Sequence, residues 1–383
     1  HPLMRAAVLV DVGRLEVRDV PRPEPAAHEV LVRVQAVGLC GTDLHIVAGH
    51  ANYNRDEHGR PRPLREHPQI LGHEIAGIVE AVGAGAHDLV PGDRVVVDQG
   101  RSCVSEARDP LCEYCHTGDS HQCEQYREHG ITGLPGGFAE LIAIPAVNAV
   151  RIETPLVPEQ AALSEPLGCV LHAIDMMKRA ASRYVIGAAS GRQRVRSILV
   201  CGGGPAGLLL IQLLRKVVGF DGLLMVSEPN ARKRVLVERF GATPIDAGTT
   251  NLSEAVDELT HGARVELLVE ASGNGGVFSA IPGLIRKQAT VLLYGHGHAG
   301  VDLSVMNQVQ FLEPTLVSPV GASGGHDAAG HPVTYVRALH LIEHGTVEVA
   351  PLITHRYPSL AALPAAFAGD HLAPDYVKGV VTL

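Results

Sequence analysis

"SILVCGGGPAGLLLIQLLRKVV", residues 197–218, decides the fold. A short apolar run of strand character ends in a glycine cluster and passes without a break into an apolar stretch with helical spacing. Gly202-x-Gly204-x-x-Gly207 falls directly after the strand and directly before the helix. Placed there, the glycines permit a tight turn and close backbone approach, and the free N–H groups of the helix start face a pyrophosphate. Pro205 stands in the first helical turn, where its missing N–H costs nothing, and Ala206 and Gly207 complete the loop. The next strand, "LLMVSE", ends in Glu228, 21 residues after Gly207. An acid at that place accepts hydrogen bonds from ribose hydroxyls and repels a 2′-phosphate, which favours NAD over NADP. Arg232, Lys233 and Arg234 follow closely; they are either solvated helix charges or a site for that phosphate.

Outward from this point the rhythm continues. "LLMVSEPN", "VELLVEASG" and "ATVLLYGHG" read as buried strands. "ARKRVLVERFGA", "NLSEAVDELTHG" and "GVFSAIPGLIRK" read as the helices between them. Apolar strands alternating with helices predict a doubly wound parallel sheet of the Rossmann kind. Ser272 and Gly295, at the ends of two of these strands, are placed beside the dinucleotide. The first 150 residues read differently, as short β-branched runs broken by Gly, Pro and Asp, and predict a β-rich domain. After Pro314 the chain is mixed and Pro-punctuated, with a helix near "VTYVRALHLIEHG". This tail is expected to fold back onto the first domain. The expected division is 1–165 with 315–383, and 166–314.

Bulk properties narrow the classes. The chain has 383 residues, 46% hydrophobic and 19% charged, so it is globular and has more than one core. Its net charge of −9 and lack of a basic run exclude nucleic acid and anionic membrane as natural partners. No apolar stretch is long enough for a transmembrane helix. The opening "HPLM" reads as an expression scar with Met4 as the start, and no signal peptide follows. Seven cysteines, four of them between 103 and 123, read as metal ligands and free thiols, and the expected compartment is the cytoplasm.

"VGLCGTDLHIVAGH", 37–50, brings Cys40, Thr42, Asp43 and His45 together. "ILGHEIAGIVEAVG" adds His73 and Glu74, and "LSEPLGCVLHA" adds Glu165. Thiolate, imidazole and carboxylate form a borderline-soft donor set suited to zinc with one open position. Cys169, four residues after Glu165, reads as a buried small residue. A second cluster is Cys112-x-x-Cys115 with Cys123. Its fourth member is Cys103, separated from Cys112 by the eight residues "VSEARDPL" and so carrying a six-residue insertion, or else Asp109; a lobe that has lost its metal is a further alternative.

"GLCGTDLH", "GHEIAGIVEAVG", "PGDRV", the four-cysteine lobe, "EPLGCVLHA" and "GGGPAG" come in an order that resembles the zinc-dependent medium-chain alcohol and polyol dehydrogenases, over essentially the whole chain. "EP" at 165–166 is similar to the sorbitol, butanediol, threonine and glucose branches. The family usually spaces the first cysteine pair as Cys-x-x-Cys, and this chain departs from that. The resemblance implies a GroES-like catalytic domain beside the Rossmann domain. It also implies a dimer or tetramer, and hydride exchange between NAD(H) and an alcohol or ketone. Cys40 and His73 would ligate catalytic zinc, with Glu74 or Glu165 beside it. Thr42 would bond the substrate oxygen, His45 would continue the proton path, and Asp43 would orient His73. The cysteine lobe would hold structural zinc.

The polar segment 51–68 reads either as a hydroxyl-binding insertion or as a solvated loop, and "KRAASRYVIGAASGRQRV" as a second insertion. The histidines of "YGHGHAG" read as loop residues. Rival readings are a zinc-free quinone or enoyl reductase of the same architecture, a threonine-type amino-alcohol dehydrogenase, and a non-catalytic module that holds NAD and zinc.

Overall fold

The computed structural model describes residues 2–383; His1, the first residue of the stretch read as a scar, lies outside them. The chain divides into two units. The first comprises His1–Gly168, Ala322–Gly345 and Val349–Leu383, and the second Cys169–Gly321 with Thr346–Glu348.

The first unit is built on a seven-stranded sheet. Its neighbours run in the order Ile353–Tyr357, Lys378–Thr382, Glu29–Gly38, Glu74–Val82, Arg94–Val97 and Ala149–Arg151, while Leu141–Pro145 pairs with Glu29–Gly38. Glu29–Gly38 is the centre of this sheet. Nearly all of its residues are buried, and Val30, Val32, Val34 and Val37 pack with Ile75, Val79, Phe138, Ile142 and Val381. β-Branched residues suit such a two-sided position because their stiff side chains interlock on a pleated surface. The tail supplies two strands of this sheet, Ile353–Tyr357 and Lys378–Thr382, which no alternation had marked. Lys378–Thr382 runs antiparallel to the central strand, with Val380 opposite Gly38. On the other side of that strand Glu74 also stands opposite Gly38.

The second unit is a six-stranded sheet, parallel throughout, in the order Thr243–Ile245, Leu223–Ser227, Ser197–Cys201, Val265–Glu270, Ile285–Leu293 and Thr315–Val317. Helix Pro205–Lys216 follows the first of these in sequence, with Gly204 at its N-cap and Pro205 in its first turn. Gly202 has φ of 108°, a conformation glycine adopts freely, and a Cβ on Gly207 would stand 2.0 Å from the Gly202 carbonyl oxygen.

One helix expectation fails. "GVFSAIPGLIRK" is helical only as Gly275–Ala280, followed by a 3-10 turn over Ile281–Gly283. Pro282 lacks an N–H to continue the helix, and Ile285 already pairs with Val265 as the start of strand Ile285–Leu293.

Candidate active site and metal clusters

Cys40 is the N-cap of the short helix Gly41–Val47. Asp43, at the third position of that helix and fully buried, accepts a hydrogen bond from the Cys40 backbone N–H at 2.9 Å through Oδ2. Its other oxygen, Oδ1, lies 3.4 Å from Nδ1 of His73. The carboxylate therefore fixes the thiol-bearing residue and one face of the imidazole together, leaving the second ring nitrogen for an ion. His73 is followed by Glu74, the first residue of strand Glu74–Val82. The ligand atoms of Cys40, His73 and Glu74 all lie within 4.8 Å of one another. Burial pushes the His73 imidazole towards its neutral form, but Asp43 and Cys40 outweigh it and raise its pKa well above the usual value.

Sequence reasoning missed the cation in this site. Lys378 is 3% exposed, with Nζ 2.8 Å from Glu74 Oε1, 2.7 Å from Oε2 and 2.8 Å from the Leu39 carbonyl oxygen. Burial would lower its pKa, but Glu74 and Cys40 hold it above the ordinary lysine value. The signal was a lone cation in the otherwise apolar "YVKGVVTL". The donors make a test of metal fit. A thiol, an imidazole and a carboxylate gathered within 4.8 Å, beside a buried carboxylate that orients the imidazole, are a set that zinc accepts.

Glu165, 6% exposed, stands in the first turn of helix Ser164–Arg179. It lies outside the Cys40–His73–Glu74 group and belongs instead with Asp98 and Glu128. Burial, helped by the charges of Glu128 and Glu165, pushes Asp98 up to about 7. Burial raises Glu128 as well, against the opposing influence of His73. Neither Asp98 nor Glu128 was legible as a site residue. Thr42 is half-buried on the Gly41–Val47 helix. His45 is exposed in its last turn and lines a cavity of about 570 Å³ with Arg14, His50 and His371. Cys169 is half-buried, as a thiol outside both clusters.

Cys103, Cys112, Cys115 and Cys123 form the second group, again with all ligand atoms within 4.8 Å, and Asp109 is not among them. Cys112 caps the helix Glu113–His116 and accepts from the Cys115 N–H at 3.5 Å. Backbone N–H groups of Cys115 and Glu124 bring its thiol down to about 6. The Cys103 and Cys123 sulfurs are 3.7 Å apart, too far for a disulfide. That is close to the edge, about 3.8 Å, of a tetrahedron whose centre lies about 2.3 Å from each sulfur, the zinc–thiolate distance. The six added residues of this lobe have their own anchor. Glu106 accepts from Arg101 at 2.7 Å, and Arg101 also reaches Glu29.

In the second unit the Gly203 N–H donates to Glu228 Oε2 at 2.8 Å, which ties the acid to the glycine loop. Arg234 is occupied by the carbonyls of Glu228 and Pro229 and by Asp246 at 3.2 Å, whereas Arg232 is exposed. Ser272 and Gly295 gather around Glu270, which is fully buried. The Ser272 N–H donates to the Glu270 carboxylate at 2.9 Å, and the Gly295 N–H to its backbone carbonyl at 2.8 Å. His298 bonds the same carboxylate and stands apart from both metal-type groups. In the polar segment 51–68, Asp56 accepts from the His58 and Arg60 N–H groups and from the Arg60 guanidinium, and Asn52 donates to the Arg62 carbonyl. Those groups bond within their own loop. In "KRAASRYVIGAASGRQRV", Arg194 likewise closes on the Ala188 carbonyl at 2.7 Å.

Residues 26–154 match the alcohol dehydrogenase GroES-like domain, and residues 159–383 match the glucose dehydrogenase C-terminus. The chain belongs to the zinc-dependent medium-chain dehydrogenase family. L-Threonine 3-dehydrogenase of Anaeromyxobacter sp. (strain Fw109-5) is 31% identical over 346 residues, which are 89% of this chain and 88% of that one. Sorbitol dehydrogenase of Arabidopsis thaliana is 27% identical over 92% of this chain and 87% of its own. A crystal structure from Sinorhizobium meliloti 1021, described as a zinc-binding dehydrogenase bound to NADP, superposes with a TM-score of 0.80 at 28% identity, covering 100% of both chains. The 2R,3R-butanediol dehydrogenase of Bacillus subtilis shares the fold, with a TM-score of 0.78 at 23% identity over 99% of each chain. As a zinc-dependent medium-chain dehydrogenase, the protein is an oxidoreductase of the alcohol and polyol class acting on small molecules. No helix among the described residues is long and apolar enough to cross a membrane.

Proposed function

We propose that this dehydrogenase oxidises a secondary hydroxyl of a polyol, sugar or vicinal diol and passes the hydride to NAD. What supports this substrate class is a carboxylate set near the metal-type group: the charges of Glu128 and Glu165 act on Asp98, and that of His73 acts on Glu128. Several acceptors suit several hydroxyls. NAD is favoured over NADP by Glu228, which is bonded to the glycine loop, and by Arg234 being engaged elsewhere.

In this reading the first unit is catalytic and the second binds the dinucleotide. Cys40 and His73 hold the catalytic zinc, with Glu74 or Glu165 beside it. When bound, the zinc supplies Lewis-acid polarisation of the substrate oxygen. Thr42 hydrogen-bonds the substrate oxygen and takes its proton as it passes its own on towards His45 and solvent, and Asp43 keeps His73 in one tautomer. The four cysteines hold a structural zinc. Gly202, Gly204, Pro205, Ala206, Gly207 and Glu228 cradle the dinucleotide, bordered by Arg232, Ser272 and Gly295. The enzyme works as a homodimer or homotetramer in the cytoplasm, a compartment that suits seven cysteines with no disulfide between them.

A panel of polyols, sugars, vicinal diols and L-threonine, each with NAD and with NADP and followed by nicotinamide absorbance, tests the reading. Turnover of a polyol, sugar or diol with NAD is expected, and Glu128→Gln should raise KM for it more than for a simple secondary alcohol. Turnover confined to L-threonine would establish the amino-alcohol reading, which the identity with L-threonine 3-dehydrogenases favours. No nicotinamide reduction by any of them in zinc-loaded protein would overturn both.

A further inference from the structure

We propose that His298 is a positioning residue for the dinucleotide, latching the loop after strand Ile285–Leu293 onto the loop after strand Val265–Glu270 by closing on the Glu270 carboxylate. The inference rests on the reading of the second unit as the dinucleotide-binding one. Ser197–Cys201 and Val265–Glu270 are neighbours in the parallel sheet, and the sheet continues from them in opposite directions, to Leu223–Ser227 on one side and Ile285–Leu293 on the other. Ligands of such sheets sit at that reversal, beyond the carboxyl ends of the strands. The glycine turn supplies one wall of this crevice. A Cβ on Gly202 would stand 3.1 Å from the Ser272 nitrogen, so the loop after Val265–Glu270 lies directly against that turn.

Glu270 ends its strand fully buried. Its Oε1 accepts from the Ser272 N–H at 2.9 Å and from the Ser272 hydroxyl, and its Oε2 from the Gly273 N–H at 3.1 Å and from Nε2 of His298. An ionised carboxylate only accepts, so that imidazole nitrogen carries the hydrogen. The Ser272 and Gly273 donors belong to the loop that Glu270 itself begins. His298 alone comes from the neighbouring loop, 28 residues further on. It arrives in a backbone conformation that suits glycine, with φ of 56°. A residue held in that region depends on the contacts that hold it. Besides the carboxylate these are the Gly273 carbonyl, which accepts from the His298 N–H at 2.7 Å, and Phe278, whose ring centroid lies 5.0 Å from that of the imidazole. A Cβ on Gly273 would fall 2.0 Å from the His296 carbonyl oxygen, so the two loops touch backbone to backbone. Ser272 and Gly295, the residues read as bordering the dinucleotide, are thereby fixed to one carboxylate-bearing residue. The latch gives the crevice its shape before the nucleotide arrives; a loose loop would have to be ordered on binding, which lowers affinity by the fraction of time the loop is closed.

The test measures nucleotide binding beside turnover, in full-length zinc-loaded protein. His298→Gly removes the imidazole and relieves the left-handed backbone in one step, so the loss of the latch is not compounded by strain. It should weaken NADH binding, read by nicotinamide fluorescence, by ~10–100-fold, the equilibrium weight of one hydrogen bond to a charged group. KM for NAD should rise in parallel, and kcat at saturating NAD should change far less. Hydrogen exchange at the amides of residues 294, 295 and 298 should quicken, because their acceptors are the Glu270 and Gly273 carbonyls. His298→Gln, whose side-chain amide still donates to Glu270, should bind NADH as wild type does. Unchanged NADH binding and exchange in His298→Gly would overturn the latch. So would a His298→Gln variant as weak as His298→Gly, or a fall in kcat with KM unaltered. If wild-type protein binds neither NADH nor NADPH, the dinucleotide reading itself fails, a result distinct from the other three.

Discussion

Changing His129 to Gln should remove a specific part of the protein's sensitivity to acid. His129 is 3% exposed, and its partners fix its tautomer. Arg101 can only donate, so its Nε at 3.0 Å requires an unprotonated Nε2 on His129, and Nδ1–H is left to donate to the Pro135 carbonyl at 2.7 Å. Protonation would set two donors face to face beside a guanidinium. Burial, reinforced by Arg101, accordingly brings the His129 pKa down from 6.5 to about 4. A depressed folded-state value means that stability is complete above the unfolded pKa and is lost as pH falls towards the folded one. A tenfold change in proton affinity on folding corresponds to about 1.4 kcal/mol, so the linkage costs about 2 kcal/mol by pH 5 and about 3 kcal/mol by pH 4. Asp98 works in the opposite direction over the same range, because its folded-state value is raised to about 7 and the fold gains as it protonates. The wild-type profile alone therefore conceals both. The difference between wild type and His129→Gln isolates the histidine, since the glutamine carbonyl still accepts from Arg101 and does not titrate. A chain of two units is a poor candidate for one-step unfolding. The readout is therefore hydrogen exchange at the amides of the paired strands Gly100–Arg101 and Arg127–Glu128, at pH 7.5, 6 and 5. Protection in wild type should fall relative to the variant by about 2 kcal/mol between the first and last of these. Parallel profiles would refute the tautomer assignment and the burial argument together.

Two further outcomes follow from the clusters. On the proposed reading of two metal sites, Cys103→Ser should cost the protein one of two metal equivalents by elemental analysis while Asp109→Asn costs none, because Cys103 and not Asp109 lies with Cys112, Cys115 and Cys123. Gly38→Ala should weaken metal binding by about tenfold or more in a chelator competition, since the added Cβ would stand 1.9 Å from a carboxylate oxygen that Lys378 pins in place.

What could be read in advance was whatever lies close together along the chain. The glycine loop, the Cys40–Asp43–His45 segment and the His73–Glu74 pair are each a few residues long, and their chemistry needs that spacing. Local patterns also mislead locally. The apolar rhythm of "GVFSAIPGLIRK" suits a helix until Pro282 removes a donor and Ile285 finds a strand partner in Val265. In the cysteine lobe, spacing alone left Cys103 and Asp109 as alternatives. What separates them is a loop folded over Arg101 and Glu106, a contact that spacing does not encode.

The residues that were missed share one physical feature. Lys378, Asp98 and Glu128 are charged or potentially charged groups placed where burial penalises them, and Lys378 and Glu128 are tolerated because distant segments supply the compensating charge or hydrogen bond. A buried lysine is costly on its own strand and becomes favourable only when Glu74 is brought to it across Gly38. Its cost is visible in "YVKGVVTL" as one cation among apolar neighbours; its benefit exists only once three strands are aligned. Asp98 is held differently: its Oδ1 accepts from the neighbouring Gly100 N–H at 2.8 Å, while burial and the like charges of Glu128 and Glu165, brought from elsewhere in the chain, raise its pKa. Motifs therefore reveal the candidate donors of a metal site. The charged groups around them are fixed by the register of the sheet, because that is where their desolvation is offset.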